Sequence, residues 1–189
     1  MEFNVEQTGI RDLLVIIPQI FKDDRGFFTE TYRKDKFSEF GLNIEFVQDN
    51  HSGSDKNVVR GLHFQWEPPM GKLMRVTQGS AFLVAVDIRI GSPTIGKWIG
   101  VEASVENRKM VYAPAGFARG FCALSEFAEI QYKCTGVYTS NKSESGILWN
   151  DPRIGIQWPV KNPILSQKDE VAQTLERWLE NPSSKNFLY

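Results

Sequence analysis

Side chains suited to acid–base chemistry are scarce in this sequence and lie in a few short polar segments. The chain has only two histidines, His51 and His63. Polar and charged groups exceed what a core or an ordinary turn requires in residues 24–30, 48–51, 60–65 and 71–75. Imidazole is the side chain that changes charge near neutral pH, so His63 is the first candidate for proton transfer. A lone histidine is nevertheless more often a hydrogen-bonded structural residue.

Strand alternation gives these polar residues a direction. On a regular strand, Arg60 and Leu62 share one face, and His63 and Gln65 share the other. The positions Lys72, Met74 and Val76 likewise share a face. A barrel interior that carries lysine, histidine, glutamine and tyrosine is not simply filled by side chains, and we expect it to hold a polar ligand.

Each polar residue also has a structural interpretation. Without further information, an ordinary surface lysine is the better explanation of Lys72, and Tyr132 could be a plain strand aromatic. Arg25 and Glu30 could form a solvated ion pair of little energetic value. Asp169 lies three residues after Ser166, the spacing of a helix capping box.

Several classes of active site find no support in the sequence. Metal-binding barrels often begin from a His-x-His pair, but Gly61 and Gln65 flank His63 at those positions. Cys122 and Cys134 lack the CxxC spacing of a zinc site, and we expect both to be reduced, buried thiols. The chain has no Gly-x-Ser-x-Gly elbow and no glycine-rich phosphate loop before a helix. We therefore expect no catalytic metal and no bound nucleotide cofactor.

Length and composition indicate one ordinary globular domain spanning residues 1–189. The chain of 189 residues is 41% hydrophobic and 24% charged, with a formal net charge of -1. This charge offers no general attraction to nucleic acid or anionic membranes, and no apolar run approaches a membrane span. The first residues, 1–6, are acidic and lack the layout of a secretory leader, so we expect a cytoplasmic protein.

The secondary-structure elements that position the polar residues are predicted to be mostly β-strands. The clearest strand covers residues 80–89, where Phe82, Val84, Val86 and Ile88 alternate with other residues. Further strands are expected at 13–17, 72–77, 98–101, 109–113, 117–124 and 129–135, at the spacing of a sandwich or small barrel. A short helix is expected at 35–40 and a longer one at 168–179.

Nine short blocks, in one order, resemble a known family. They include DRGFFTE (24–30), VVRGLHFQ (58–65), APAGFARGF (113–121), YKCT (132–135) and WNDPRIGIQWP (149–159). From about Leu13 to Asp169, the chain closely resembles the dTDP-4-dehydrorhamnose 3,5-epimerase family. The resemblance implies a cupin-type jelly roll, usually a homodimer, that works without metal or organic cofactor. It also implies epimerisation at C3 and C5 of dTDP-4-dehydro-6-deoxy-D-glucose, through enolates, in deoxysugar biosynthesis.

The resemblance also implies roles for individual residues. His63 would be the base, oriented by Asp169, while Lys72 would stabilise the enolate and Tyr132 would be the acid on the opposite face. The implied substrate-binding residues are Arg25, Phe27, Glu30, Gln48, Asn50, Arg60, Arg119, Tyr138, Glu144 and Lys168. Tyr138 would stack on the nucleotide base, and Phe28 would help to line that slot.

Two positions depart from the family pattern. Arg119 replaces the usual substrate-contacting histidine, and Leu83 stands where aspartate is common. These changes leave open a monofunctional 3- or 5-epimerase of another nucleotide-linked sugar. Two alternatives of other classes also remain: a non-catalytic sugar-nucleotide-binding cupin, and a metal-dependent cupin.

Overall fold

Two large antiparallel sheets, a small two-stranded sheet and three short helices build the described part of the molecule. The structure, a computed structural model, describes residues 1–189 except for the side chain of Asn141. Within that described part the strands are β1 (Phe3–Gln7), β2 (Leu14–Pro18), β3 (Phe21–Asp23), β4 (Gly26–Phe28), β5 (Gln48–Asp55), β6 (Val59–Gln65), β7 (Lys72–Gln78), β8 (Ser80–Asp87), β9 (Trp98–Ser104), β10 (Met110–Ala113), β11 (Phe117–Ala123), β12 (Phe127–Cys134) and β13 (Glu144–Gly146). The helices are α1 (Lys34–Glu39), α2 (Gln167–Glu170) and α3 (Leu175–Glu180), with 3₁₀ turns at Asn141–Ser143 and Pro182–Asn186.

The two sheets face one another across a shared core. One sheet has six strands in the order β1-β2-β10-β7-β12-β5, and the other has five in the order β13-β6-β11-β8-β9. Met74 and Ile130 of the first sheet pack in one cluster with Leu83 and Phe121 of the second. Because side chains alternate along a strand, these inward residues lie at every second position. The mostly-β, cupin-type sandwich predicted from the sequence is confirmed.

Strand β8 is buried on both faces. Leu83 and Ala85 point into the core between the sheets, whereas Val84 and Val86 point away from it into a second cluster. That second cluster contains Trp178 of α3 and covers the outer face of the five-stranded sheet. The apolar face expected for this strand therefore meets the C-terminal segment. The helices of the described residues include none long and apolar enough to cross a membrane.

The C-terminal helix differs from the prediction. Instead of one helix over residues 168–179, α2 ends at Glu170, and α3 starts after Thr174, whose side chain accepts a hydrogen bond from the Arg177 backbone N–H. Val171, which lies within the predicted helix, is 77% exposed. The second cap explains the break, because a side chain that binds the first free N–H groups starts a new helix.

Candidate active site

A cavity of about 210 Å³ opens between the two sheets. Its lining comes from five strands and comprises Ser52, Arg60, His63, Lys72, Met74, Arg119, Gly120, Phe121, Ile130 and Tyr132. The polar barrel interior predicted from strand alternation thus exists, with Lys72 and Met74 on one inward face of β7 as expected. No aspartate or glutamate is among these lining residues, so the wall carries a net positive charge.

A β-bulge in β6 turns two cationic or basic side chains toward the cavity. In the pairing with β11, His63 lies opposite Arg119 and Arg60 lies opposite Phe121, so β6 has one extra residue between these positions. The expectation that Arg60 shares a face with Leu62 is therefore wrong: Arg60 lines the cavity with His63, while Leu62 packs in the outer cluster.

Glycine is required at the bulge. Gly61 has φ 121°, and a Cβ there would lie 2.7 Å from both the Arg119 carbonyl oxygen and the Gly120 Cα. The close approach of β6 to β11 therefore depends on the missing side chain. This irregular step, rather than regular alternation, sets where Arg60 and His63 point.

His63 is backed by a buried carboxylate. Its Nε2 lies 2.6 Å from Oδ1 of Asp169, whose side chain is 5% exposed. Burial raises the pKa of Asp169, but hydrogen bonds from His63, Ser166 and the Gly61 backbone outweigh it and hold the pKa below its usual value. The capping and pairing interpretations of Asp169 both hold: its backbone N–H binds Ser166 Oγ while its carboxylate binds His63.

Lys72 and Tyr132 meet on the opposite wall. The Lys72 ammonium lies 4.5 Å from the centroid of the Tyr132 ring. Burial, reinforced by the nearby charge of Arg119, lowers the pKa of Lys72 to about 8. Lys72 is therefore not an ordinary surface lysine, and its protonation depends on the neighbouring charges in the cavity.

Arg119 is the most deeply buried cation of the cavity. The residue is 3% exposed, and its Nη1 donates to the Met70 carbonyl at 2.7 Å. Its Nε and Nη2 are buried without a partner among the described residues. Burial lowers the pKa of Arg119 to about 10, which leaves the guanidinium charged at neutral pH.

Several other predicted binding residues gather near the cavity rim. Gln48 and Asn50 lie four and two residues, respectively, before the cavity residue Ser52 on β5, and Asn50 is directly opposite Tyr132. Gln48 Oε1 accepts from the Tyr138 backbone N–H at 2.8 Å, and the Tyr138 side chain is half exposed. A 2.9 Å ion pair joins Glu144 and Lys168, whose charges both act on Lys72.

Three predicted binding residues lie elsewhere on this chain. Arg25 and Phe27 belong to the β3–β4 hairpin, a separate two-stranded sheet, and neither lines the cavity. Arg25 pairs with Asp23, and Glu30 pairs with Arg33, so Arg25 and Glu30 bind different partners. The single chain thus brings together ten of the predicted site residues at the cavity and its rim, but not these three or Asp169, which stands behind His63. The hairpin residue Phe28 is also exposed.

Sequence reasoning missed Ser52, Phe121 and Ile130 as cavity residues. Ser52 could have been found by continuing the alternation from Asn50, but Phe121 and Ile130 carried only the signal of a core residue. Leu83, which departs from the family pattern, packs in the core between the sheets. Within the described residues, no three His, Cys, Asp or Glu side chains are grouped as metal ligands would be.

Fold and cavity together define a cupin-type β-sandwich with a cationic cavity that contains a His–Asp pair. A model of the dTDP-4-dehydrorhamnose 3,5-epimerase family matches residues 7–177. The chain belongs to the dTDP-4-dehydrorhamnose 3,5-epimerase family. The resemblance found in the sequence blocks is thereby confirmed, and the protein is an isomerase.

Individual relatives match over nearly the whole chain. A dTDP-4-dehydrorhamnose 3,5-epimerase of Shigella flexneri is 54% identical over 88% of this chain and 92% of its own length. One of Salmonella typhimurium is 52% identical over 93% and 97%. The crystal structure of a dTDP-6-deoxy-D-glucose-3,5-epimerase from Legionella pneumophila, in complex with dTDP-4-keto-L-rhamnose, superimposes with a TM-score of 0.91, with 44% identity and 97% of each chain covered.

Proposed function

We propose that this protein inverts C3 and C5 of dTDP-4-dehydro-6-deoxy-D-glucose to give dTDP-4-dehydro-L-rhamnose through enolate intermediates. The observation that carries the proposal is that His63, backed by Asp169, shares one cavity with Lys72 and Tyr132. Inversion next to a ketone needs a base on one face, an acid on the other and a positive group at the developing oxyanion. The cavity offers one candidate for each.

His63 is the proposed base. A carbon-bound hydrogen beside the C4 ketone becomes removable because the electron pair left behind delocalises onto the ketone oxygen. The imidazole nitrogen that Asp169 does not engage takes this proton, and the ring becomes imidazolium. The buried carboxylate 2.6 Å away stabilises that charge and fixes the ring orientation.

Lys72 and Tyr132 complete the proposed reaction. The Lys72 ammonium stabilises the negative charge on the C4 oxygen, and the Tyr132 phenol donates a proton to the carbon from the face opposite His63. Proton loss to His63 and proton gain from Tyr132 invert the carbon and leave an imidazolium and a phenolate. Exchange with solvent returns both groups to their starting state, and the same sequence at the second carbon then completes the double epimerisation.

Only the sugar fits within the cavity proper. Its volume of about 210 Å³ is below the range of sites that enclose a drug-sized ligand. We therefore assign the nucleotide diphosphate to the rim, where Gln48, Asn50, Glu144 and Lys168 offer polar contacts and Tyr138 offers an exposed ring for base stacking. Arg60 stands between the two regions, with its guanidinium held by Ser54 Oγ and the Gly53 carbonyl.

We propose that the protein is a homodimer in which the β3–β4 hairpin of each copy reaches the site of the other. Phe21, Phe27 and Phe28 are each at least half exposed on this hairpin, an apolar surface that favours a protein contact. A second copy would also bring Arg25, Phe27 and Glu30 to a cavity that they do not reach within their own chain. Sedimentation of the wild type and of Phe28→Ser tests this: a dimer weakened by the substitution is expected, and a wild-type monomer would contradict it.

We also propose a single domain in the cytoplasm. Both sheets contribute to one core, which favours one cooperative unfolding transition, and two separate transitions would contradict it. Both cysteines are buried and unpaired, as suits a reducing compartment. Fractionation of cells that express the protein would locate it, and recovery outside the cytosolic fraction would contradict this assignment.

The experiment that tests the reaction identifies the product. Purified protein is incubated with dTDP-4-dehydro-6-deoxy-D-glucose, and the sugar ring couplings are followed by proton NMR. We expect inversion at both carbons and none with His63→Asn. Inversion at one carbon would establish a monofunctional epimerase instead, and an unchanged sugar that still binds the protein would establish a non-catalytic binding protein.

A further inference from the structure

Two cations share the end of the cavity where the chemistry takes place. Arg119 lies directly opposite His63 in the β11–β6 pairing, and its charge acts on Lys72. The Met70 carbonyl fixes Nη1, but Nε and Nη2 have no acceptor among the described residues. Buried donors of a charged group are rarely left without a partner in a protein.

Two buried cations side by side require an anion to stabilise them. Placing a buried guanidinium beside a buried ammonium is unfavourable, both by desolvation and by mutual repulsion. No acidic side chain lines the cavity in the described part of the chain. The missing acceptor must therefore arrive with the ligand, and the ligand atom that becomes negative beside His63 is the C4 oxygen of the sugar.

We propose that Arg119 and Lys72 form a two-cation site for the C4 oxygen, in which Arg119 donates from Nε and Nη2 to the developing enolate. This inference rests on the proposed function and adds a catalytic residue at the position where this chain departs from its family. Removal of the carbon-bound proton by His63 sends the electron pair to the C4 oxygen, and both cations stabilise the negative charge there.

The permanent charge of Arg119 lowers the pKa of Lys72. The charged and titratable groups facing Lys72 are Arg60 and His63 on β6, Arg119 on β11, Tyr132 and Cys134 on β12, Glu144 on β13 and Lys168 on α2. Arg119 is the largest charge effect among them and favours the neutral amine. Removing its charge would therefore raise the pKa of Lys72 and extend activity to higher pH.

The experiment compares three substitutions of one residue. Arg119→Gln removes the charge, Arg119→Lys replaces the guanidinium with an amine that burial can discharge at alkaline pH, and Arg119→His introduces the residue that the family usually carries, so that folding is preserved. The exposed Arg177→Gln is the matched control. For each protein we would measure kcat and KM across pH 6–10, and the affinity for dTDP, which lacks the sugar.

For Arg119→Gln we expect kcat to fall by about 100-fold, with the affinity for dTDP unchanged. We expect its alkaline activity limb, and that of Arg119→His, to move to higher pH, whereas Arg177→Gln keeps the wild-type limb. Arg119→Lys should show an intermediate shift, because a buried lysine loses part of its charge within this pH range. Weakened dTDP binding with unchanged kcat would place Arg119 at the diphosphate and overturn the inference. A variant Arg119→Gln with the wild-type kcat and an unchanged alkaline limb of the pH–activity profile would also overturn the inference. An inactive wild-type protein would instead overturn the proposed function itself.

Discussion

Replacing Asp169 with asparagine removes the charge behind His63 while leaving its shape and its helix cap in place. The carboxylate is 5% exposed and lies 2.6 Å from the imidazole, so water cannot replace it when the ring becomes imidazolium. Losing one partner of a buried charged pair costs about 3–5 kcal/mol. Because His63 is charged only after proton removal, this cost falls on the transition state. At about 1.4 kcal/mol per factor of ten, we expect kcat to fall about 1000-fold.

The assay is the initial rate of product formation, with KM measured in parallel. We expect KM of Asp169→Asn to stay close to the wild-type value, because Asp169 stands behind His63 and does not line the cavity. Thr174→Ala is the control: it removes the neighbouring α3 cap, which costs about 1 kcal/mol of stability, and leaves the pair intact. A variant Asp169→Asn with near wild-type kcat would refute the assignment of His63 and Asp169 as a working pair.

Three further predictions concern the cavity walls. Lys72→Met should abolish activity yet stabilise the fold by about 2–3 kcal/mol at pH 7. Because the pKa of Lys72 is lowered to about 8 in the folded state, this gain in the free energy of unfolding, measured by denaturant titration, should shrink as pH rises from 8 toward 10.5. Tyr132→Phe should retain exchange of the sugar C–H protons with solvent, seen by NMR, but lose most inversion, since the base remains and the opposite acid does not. Gly61→Ala should destabilise the fold by about 3 kcal/mol or more, because its Cβ meets the β11 backbone. Gly155→Ala, with open space around it, should cost about 1 kcal/mol. Equal shifts of the thermal unfolding midpoint in the two variants would contradict the role given to the bulge.

Much of the site could be predicted because its residues belong to short, distinctive blocks. The alternation along β7 placed Lys72 and Met74 on one face, and the structure has them in the cavity wall. The spacing of Ser166 and Asp169 indicated a cap, which is present, but spacing alone could not show that the carboxylate turns to His63. That contact joins residues 106 positions apart and depends on how the sheets fold together.

Other features depend on geometry that sequence patterns do not carry. The face of Arg60 was mispredicted because one extra residue at Gly61 reverses the alternation, and such a bulge is defined only by the partner strand. The long C-terminal helix was mispredicted because its apolar period continues through a break that Thr174 creates. The position of Arg25, Phe27 and Glu30 away from the cavity also follows from the fold alone.

The measurement that tests the central claim most directly is deuterium incorporation. The protein is incubated with dTDP-4-dehydro-6-deoxy-D-glucose in deuterium oxide. The number of deuterons in the recovered sugar nucleotide is measured by mass spectrometry, and their positions are assigned by NMR. Proton removal at both carbons attached to the C4 ketone predicts two solvent deuterons, at C3 and C5, and none with His63→Asn. Recovery of sugar without deuterium from the wild-type protein would contradict the account.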